Sequence, residues 1–406
     1  MDPIIIVALV VAIALFFDFT NGFHDTANAM ATPIATGALK PRTAVAIAAV
    51  MNLLGAFLST AVAKTISVDL INEGVNIVPQ MVFAGLTGAI LWNLTTWFLG
   101  LPSSSSHALF GGLIGAAITY AGFDAVNFAK MIEKVFIPAL FAPIIAGVAA
   151  WLATRLAYIL TARDGAAKNS ADTGRSKFRY GQVFSSSLVA LSHGTNDAQK
   201  TMGVITLVLV ASGIQADGGH VELWVVVAAA AAIAIGTYSG GWRIIKTMGK
   251  GLSEIKPPQG LSAEVATAST ILASSNLGFA LSTTQVASGS VIGSGLGRKG
   301  GQVRWSKAGQ IVLGWVLTLP AAALVGAISA GVTLIGDFGL ILDALVTAAV
   351  IIAIFQIARR NAVTHHHLNS ELEDASEAVV TPKQIKAEAK AAKAASAKKS
   401  TGKGKK

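Results

Sequence analysis

The 406-residue chain contains no cysteine, and only 13% of its residues are charged. The lack of cysteine excludes disulfides, thiolate metal sites and thiol nucleophiles. Soluble proteins usually have about 25% charged residues, so this chain could not cover the surface of a soluble globule of its length. Apolar residues make up 53% of the chain, and the mean hydropathy is +0.62. Together these values indicate a polytopic membrane protein.

The net charge of +10 is not spread evenly, since more than half of the excess lies in the segment 359–406. We therefore expect no nucleic-acid partner. The Ala/Lys repeats of 383–406 lack apolar anchors and predict a disordered cytoplasmic tail in contact with anionic lipid. The tract His365-His366-His367 lies in the same tail, and we expect it to be solvated and uninvolved in transport. At the other end, Met1-Asp2-Pro3 lacks the basic residues of a cleaved signal, so the first apolar run is expected to be a spanning helix.

Apolar runs long enough to cross the hydrocarbon core, about 20 residues each, follow one another along the chain. They are rich in Ala and Gly, as closely packed membrane helices are. The polar, basic segment 161–180 divides them into two sets and predicts four regions: a first transmembrane repeat at 1–160, a cytoplasmic linker at 161–180, a second repeat at 181–358 and the tail at 359–406. The runs cover 4–38, 43–63, 79–99, 103–121, 135–160, 181–212, 221–241, 262–297, 308–335 and 338–358.

Two motifs occur in the same order in both halves. The first places Gly shortly before Asp inside an apolar run, as NGFHDTANA at 21–29 and SHGTNDAQK at 192–200. The second is a hydroxyl-rich turn before a Gly-rich helix, as LPSSSSH at 101–107 and LSTTQ at 281–285. This recurrence predicts an internal repeat with broken helices, the sequence pattern of secondary transporters.

The distribution of Lys and Arg predicts the topology. If 79–121 and 262–297 are re-entrant hairpins and the N-terminus is outside, the linker, most basic loops and the tail fall on the cytoplasmic side. Only Lys64, Lys130 and Lys134 fall in outside loops. The two halves would then have inverted orientations. The expected fold is an all-α polytopic protein with two inverted repeats, broken helices and two re-entrant hairpins.

Ionisable side chains inside a bilayer cost roughly 3 kcal/mol each and point to function. Asp25, Asp197 and Lys200 are the best placed, because they belong to the repeated motifs. A carboxylate beside free backbone carbonyls predicts a cation or proton site. Asp18 and Asp343 are equally compatible with such a role and with structural hydrogen bonds between helices.

The hydroxyl clusters require a partner of opposite charge. Ser caps the first N–H groups of a helix, and a helix start carries partial positive charge that suits an oxyanion. No arginine is placed to bind an anion within the membrane, so recognition would depend on neutral donors and a nearby cation. The predicted anion-binding side chains are Ser104, Ser105, Ser106, Ser282, Thr283, Thr284 and Gln285.

These paired motifs resemble those of the inorganic phosphate transporter (PiT) family, and the resemblance extends over about residues 4–358. It implies phosphate uptake coupled to an inward cation gradient, without a resident cofactor, in the cytoplasmic membrane. It also implies that Asp25, Asn28, Asn196 and Asp197 are the cation-linked positions, and that the Ser and Thr residues of both turns bind phosphate. Inorganic phosphate and the lipid bilayer are the implied partners, and a homo-oligomer is compatible with the resemblance.

One position departs from the sodium-coupled pattern. The second motif ends in Lys200, where the first has Asn28. It is similar to the bacterial low-affinity branch, which is proton-coupled and is linked to a neutral metal–phosphate complex. If the chain is helical there, Asp197 and Lys200 share a face. We therefore expect Lys200 to act as a built-in cation, either as a fixed salt bridge or as a group that exchanges a proton.

Other functions fit the motifs less well. Sodium-coupled phosphate transport and sulfate transport would use the same scaffold. A serine hydrolase with His107 as base is disfavoured, because the chain lacks a Gly-x-Ser-x-Gly elbow and Ser106 and His107 are adjacent. A passive anion channel would not require two acidic motifs at mid-membrane. His24, His107 and His193 adjoin the motifs, and at least one proton-relay role among them is plausible.

Overall fold

The computed structural model describes residues 2–69, 72, 75–163, 173–216 and 220–360. These residues form α-helices, short 3₁₀ and π segments and loops, with one isolated β-bridge between Ser253 and Val303. The predicted all-α fold is confirmed for this part of the chain. The tail and its histidine tract lie outside the described residues.

Fourteen α-helices are described. They are α1 (Pro3–Ala35), α2 (Pro41–Gly55), α3 (Ala61–Asp69), α4 (Pro79–Leu99), α5 (Ser105–Ala121), α6 (Phe128–Met131), α7 (Ile137–Arg163), α8 (Thr173–Ala211), α9 (Leu223–Ser239), α10 (Trp242–Lys246), α11 (Pro257–Asn276), α12 (Thr283–Gly297), α13 (Trp305–Thr333) and α14 (Asp337–Arg360).

Five helical segments of the described chain are long and apolar enough to cross a membrane, and a sixth arises if α9 and the bent segment after it form one span. On α7, α13 and α14 large apolar side chains point outward, in agreement with a lipid-facing surface. Examples are Leu140, Ile144, Leu152, Val316, Leu324, Ile328, Leu345 and Ile352, all of them exposed.

Helices α1 and α8 pass through the centre of the bundle without interruption. The prediction of broken helices at 21–29 and 192–200 was wrong, because helical structure continues through both motifs. The motif glycines serve close packing instead. A Cβ at Gly22 would overlap the carbonyl oxygen of Ile233 in α9, and a Cβ at Gly194 would overlap that of Asn52 in α2.

The interruptions lie in the two hairpins. Helix α4 ends at Gly100, whose φ of 67° is a left-handed conformation that glycine adopts without strain, and an extended segment leads to α5. In the second half, Gly278 has a φ of 74° between α11 and α12. Each chain reversal therefore ends directly at a hydroxyl-rich helix start.

The hairpins pack in a matching way against helices of the other half. Gly111 and Gly115 of α5 lie against the backbone of α13, and Gly289 and Gly293 of α12 lie against that of α7. Small residues allow such close contact between membrane helices. The matching contacts agree with a duplicated unit. The inversion of the two halves and the sidedness of the termini stay predictions.

Two predicted boundaries differ from the structure. Helix α8 begins at Thr173, so the last eight residues of the predicted 161–180 linker are helical. Helix α2 ends at Gly55 and α3 begins at Ala61, so the apolar run 43–63 does not form one helix. The division into repeats, linker and tail stays a prediction.

Candidate anion and cation site

The candidate site lies where the starts of α5 and α12 face the middle of α1 and α8. Ser104 accepts a hydrogen bond from the backbone N–H of His107 at 3.2 Å, and Ser282 accepts one from that of Gln285 at 3.3 Å. Both serines are therefore N-caps. Since an α-helix leaves its first four N–H groups without intrahelical partners, two clusters of backbone donors meet in the centre of the protein.

Asp25 of α1 is surrounded by hydroxyl donors from both hairpins. Ser105 donates to it at 3.0 Å, Thr283 at 3.3 Å and Thr284 at 3.2 Å. The Nδ1 atom of His24 lies 2.5 Å from the Oδ1 atom of Asp25. A second histidine, His193, has its Nε2 atom 4.0 Å from Asp25 Oδ2, and no lysine or arginine contact of Asp25 is present within the described residues.

Asn28, one turn further along α1, faces the second hairpin. Its amide nitrogen donates to Thr284 at 3.0 Å and is 3.3 Å from the hydroxyl of Thr283. Its side-chain oxygen is buried and has no hydrogen-bond partner within the described residues. Since amide oxygens are ligands of hard cations, this oxygen is a candidate cation ligand.

Asp197 of α8 has a different environment. The ammonium of Lys200 forms a direct ion pair with it, and the amide of Asn196 donates to it at 2.9 Å. The Nε2 atom of His193 lies 2.8 Å from Asp197 Oδ2, and Thr283 donates to the same oxygen at 3.0 Å. The side chains of Asp197 and Lys200 are fully buried, so this is an ion pair removed from solvent.

Lys200 has two further acceptors. Its ammonium donates to the hydroxyl of Ser106 at 2.5 Å and to the backbone carbonyl of Leu281 at 3.1 Å. Three donors therefore match three acceptors. The structure thus brings together the predicted Asp197–Lys200 pair, and Lys200 reaches Ser106 as Asn28 reaches Thr284.

Thr283 connects the two carboxylates. Its hydroxyl is within hydrogen-bonding distance of both Asp25 and Asp197. A hydroxyl has one proton, so it can donate to only one carboxylate at a time. No arginine contacts either carboxylate in the described chain, as the sequence indicated, and Lys200 is the one lysine that does so.

Two predicted site residues have other partners. Gln285 faces His107, with its amide nitrogen 3.4 Å from the Nδ1 atom, and it contacts neither carboxylate. Ser106 donates to the carbonyl of Leu281 and accepts from Lys200, so it belongs with the ion pair. Both residues lie in the first turn of their helices, and their side chains point away from the two carboxylates.

Sequence reasoning missed two groups of residues near the site. Asn52 of α2 accepts from His193 Nδ1 at 3.0 Å and donates to Thr237 at 2.7 Å, which fixes the imidazole against Asp197. Glu264 of α11 is buried and accepts hydrogen bonds from Thr32, Ser185 and Gln182. An acidic residue within the apolar run 262–297 was a signal for the second group.

A metal ion has one set of candidate ligands. Asp25, His193 and Asp197 each offer one ligand atom, and these atoms lie within 4.8 Å of one another. Two carboxylates and one imidazole are ligands that divalent transition metals accept. Lys200 beside Asp197 opposes metal binding unless an anion is bound at the same time.

A helical membrane protein in which two hairpin helices start at buried carboxylates is a transporter by architecture. The model of the phosphate transporter family matches residues 21–326, and the chain belongs to that family. The resemblance inferred from the paired motifs is thereby confirmed.

Named relatives and a solved structure agree with this assignment. A "probable low-affinity inorganic phosphate transporter" of Mycobacterium bovis is 53% identical, with 90% of this chain and 87% of the relative covered. A Bacillus subtilis protein of the same description is 42% identical, with 81% and 98% covered. These relatives are named as transporters and not as enzymes. A solved sodium-dependent phosphate transporter has the same fold, with a TM-score of 0.72 at 22% identity, covering 81% of this chain and 99% of that one.

Proposed function

We propose that this protein imports inorganic phosphate by symport with a cation, and that the cation is a proton. The observation that carries the proposal is the position of Lys200. Its ammonium pairs with Asp197 and donates to Ser106, whereas at the matching position of the first motif the neutral amide of Asn28 donates to Thr284 and brings no charge.

The anion would bind between the two helix starts. Their backbone N–H groups and the hydroxyls of Ser105, Thr283 and Thr284 all point to the same centre. At neutral pH phosphate still carries a proton that a carboxylate can accept, whereas sulfate carries none. Because Asp25 and Asp197 border the site, the donor and acceptor pattern favours phosphate.

The hydrogen bonds give a physical reason for coupling. The hydroxyls that would bind phosphate donate to Asp25 and Asp197 in this structure. A proton or metal ion on a carboxylate removes its need for those donors and lowers the repulsion between the carboxylate and the anion. Cation binding therefore releases donors for phosphate, and phosphate in turn strengthens cation binding.

A proton suits this site better than sodium in the second half. The ammonium of Lys200 already supplies the positive charge that sodium would bring to Asp197, and it would repel a second cation. Lys200 thus acts either as a permanent counter-ion or as a group that releases and regains a proton during transport.

The set Asp25, His193 and Asp197 supports a second form of the cargo, a neutral complex of phosphate with a divalent metal. The metal would be cargo and not a resident cofactor. Its charge would offset that of the dianion, which is costly to bury alone.

The test is uptake of radiolabelled phosphate into proteoliposomes with imposed proton and sodium gradients, each applied separately. We expect accumulation with an inward proton gradient in sodium-free buffer, and no competition by excess sulfate. Parallel reactions with Mg²⁺ or with chelator test the metal complex. Uptake that requires sodium and ignores the proton gradient would refute proton coupling.

A further inference from the structure

A third buried carboxylate lies near the site and has no role in the function proposed above. Asp18 precedes Asp25 by seven residues on α1, about 10 Å along the helix axis. Its side chain is fully buried, and neither oxygen has a hydrogen-bond partner within the described residues. The charged groups that face it are Asp197 and Lys200 of α8.

Lys200 does not serve as the counter-ion of Asp18. Its three ammonium protons are directed at Asp197, Ser106 and the carbonyl of Leu281. Asp197 itself repels Asp18. A buried carboxylate in this position requires a positive partner, which is either a bound cation or a proton.

Buried polar side chains of α1 and α8 lie at or next to the level of this carboxylate. Asn21 lies one turn along α1 on the same face. The hydroxyl of Thr201 on α8 faces Asp18 outside strict hydrogen-bonding geometry. Both side chains are fully buried, the amide atoms of Asn21 have no hydrogen-bond partner in the described chain, and Thr201 has no partner besides its contact with Asp18.

Asn93 of α4 belongs to the same group. The C-terminal ends of α1 and α4 both reach the segment after α10, where Gly249 lies against Ala31 and Gly100 lies near Thr247, so the two helices run in the same direction. Thr96 of α4 contacts His24, and one turn back Asn93 is level with Asn21. Asn93 is fully buried, and its amide atoms have no partner among the described residues.

We refer to Asp18, Asn21, Asn93 and Thr201 as the Asp18 cluster. A buried polar group without a partner costs about 1–3 kcal/mol, and native proteins contain few of them. Four such side chains in one place are therefore unfavourable unless something binds there. Their oxygens, from one carboxylate, two amides and a hydroxyl, form the kind of ligand set that a hard monovalent cation prefers.

The charge balance of the central region also favours a bound cation. Three buried aspartates, Asp18, Asp25 and Asp197, have a single buried lysine among them, whereas the buried Glu264 is held by three neutral hydrogen-bond donors. Apart from the histidines beside Asp25 and Asp197, the described residues supply no other positive contact.

We propose that the Asp18 cluster is a second cation site, separate from the phosphate site, which holds one monovalent cation (a proton or sodium) in each transport cycle. This inference rests on the proposed symport, because it assigns an additional coupling ion to the same transport cycle. The cation at Asp18 would be carried in addition to the one bound at Asp25 and Asp197.

The experiment measures the number of cations moved per phosphate, from the membrane potential at which net phosphate flux reverses in proteoliposomes. We expect Asp18→Asn to lower that number by one, while phosphate exchange without gradients stays within about twofold of wild type, a change of about 0.4 kcal/mol. The measurement is made once with a sodium gradient and once with a proton gradient, which identifies the ion. Thr201→Val should leave the number of cations per phosphate unchanged and should weaken the affinity for the cation.

Asp343→Asn is the matched control, because Asp343 is an aspartate of a membrane helix whose partner, Ser329, donates at 2.5 Å. It should leave the cation number unchanged. Cation binding to purified protein without phosphate, measured with ²²Na⁺ and as pH-dependent proton uptake, separates failure of this proposal from failure of the transport function. If Asp18→Asn keeps both the cation number and the binding of wild type, the cluster is structural and the proposal is wrong.

Discussion

Asp25 and Asp197 occupy matching positions in two similar motifs, yet their surroundings differ. Asp25 is stabilised by neutral hydroxyls and His24, whereas Asp197 is held by a buried ammonium, and His193 lies between the two at 2.8 Å from Asp197 and 4.0 Å from Asp25. The packing of α5 and α12 that presents donors to them is nearly the same. The two halves therefore share a scaffold for the anion and differ in how positive charge is supplied.

This difference assigns separate tasks to the two halves. A carboxylate with a resident ammonium is neutralised in every state of the protein. A carboxylate held by hydroxyls and histidines, without an ammonium, can gain a cation and lose it again. We therefore expect Asp25 to be the position whose occupancy changes during transport, and Asp197 with Lys200 to be the more permanent part of the site.

The largest expected effects come from removing each carboxylate. Asp25→Asn and Asp197→Asn should each abolish gradient-driven accumulation of phosphate, because an amide cannot hold the transported positive charge. Only Asp197→Asn should also destabilise the fold, by about 3–5 kcal/mol, since it leaves the Lys200 ammonium buried and unpaired. Uptake assays and thermal unfolding in detergent measure the two effects.

The double variant Asp197→Asn with Lys200→Met serves as the control for this comparison. It removes both charges and should recover most of the lost thermal stability without recovering transport. Equal destabilisation by the two single variants would contradict the assignment of a resident ion pair to the second half only. Normal accumulation in both would place the coupling site elsewhere.

The next effect concerns the kind of cation. Lys200→Asn gives the second motif the same residue as the first and replaces the ammonium with an amide, whose oxygen can bind a cation. We expect uptake to become stimulated by sodium, which it should not be in wild type. Lys200→Met is the matched control, since it removes the charge without adding an oxygen ligand, and it should show no sodium response.

Sodium stimulation in wild type, or an equal response in Lys200→Met, would disprove the idea that Lys200 replaces a cation. A change of proton dependence in Lys200→Asn, measured with a pH gradient, would separate the two roles of the lysine. Loss of that dependence indicates proton exchange at Lys200. Its retention indicates a fixed salt bridge.

A smaller effect is expected at the hydroxyls. Ser105→Ala combined with Thr283→Ala removes two donors, one from each helix start, and should weaken phosphate affinity about 10- to 100-fold at about 1 kcal/mol for each donor. Thr283→Ala alone should exceed Ser105→Ala alone, because Thr283 contacts both carboxylates. Binding of labelled phosphate to purified protein gives the affinities.

Thr119→Ala is a suitable control for these variants, because Thr119 lies on α5 and its hydroxyl donates within its own helix to Gly115. It should bind phosphate as wild type does. Unchanged affinity in the double variant would remove the two turns from the anion site.

The sequence predicted the parts of the site that depend on local spacing. Asp197 and Lys200 are three residues apart on a helix, so their pairing followed from helical geometry alone. The hydroxyl-rich starts of α5 and α12 followed from the preference of Ser and Thr for helix starts. The membrane class followed from composition.

Contacts between distant segments could not be predicted in this way. Nothing local indicates that Thr283 lies between Asp25 and Asp197, or that Asn52 holds His193, because these contacts depend on how the hairpins and helices pack. The motif glycines were misinterpreted for the same reason. Glycine is compatible with a break in a helix and with close helix packing, and only the neighbouring backbone of α9 and α2 distinguishes the two.

The smallest expected effect tests whether the two helix starts are equivalent. Ser104→Ala and Ser282→Ala each remove an N-cap, which usually costs about 1 kcal/mol. Each hydroxyl accepts from the third N–H of its helix at nearly the same distance, 3.2 Å and 3.3 Å. If both helix starts bind the anion equally, the two variants should weaken phosphate affinity by the same factor, at most about fivefold. Asn127→Ala removes a cap of α6 outside the site and should not change the affinity. A loss confined to Ser104→Ala, measured by phosphate binding, would show that the anion lies against α5 and that the two halves differ in anion binding as well as in charge.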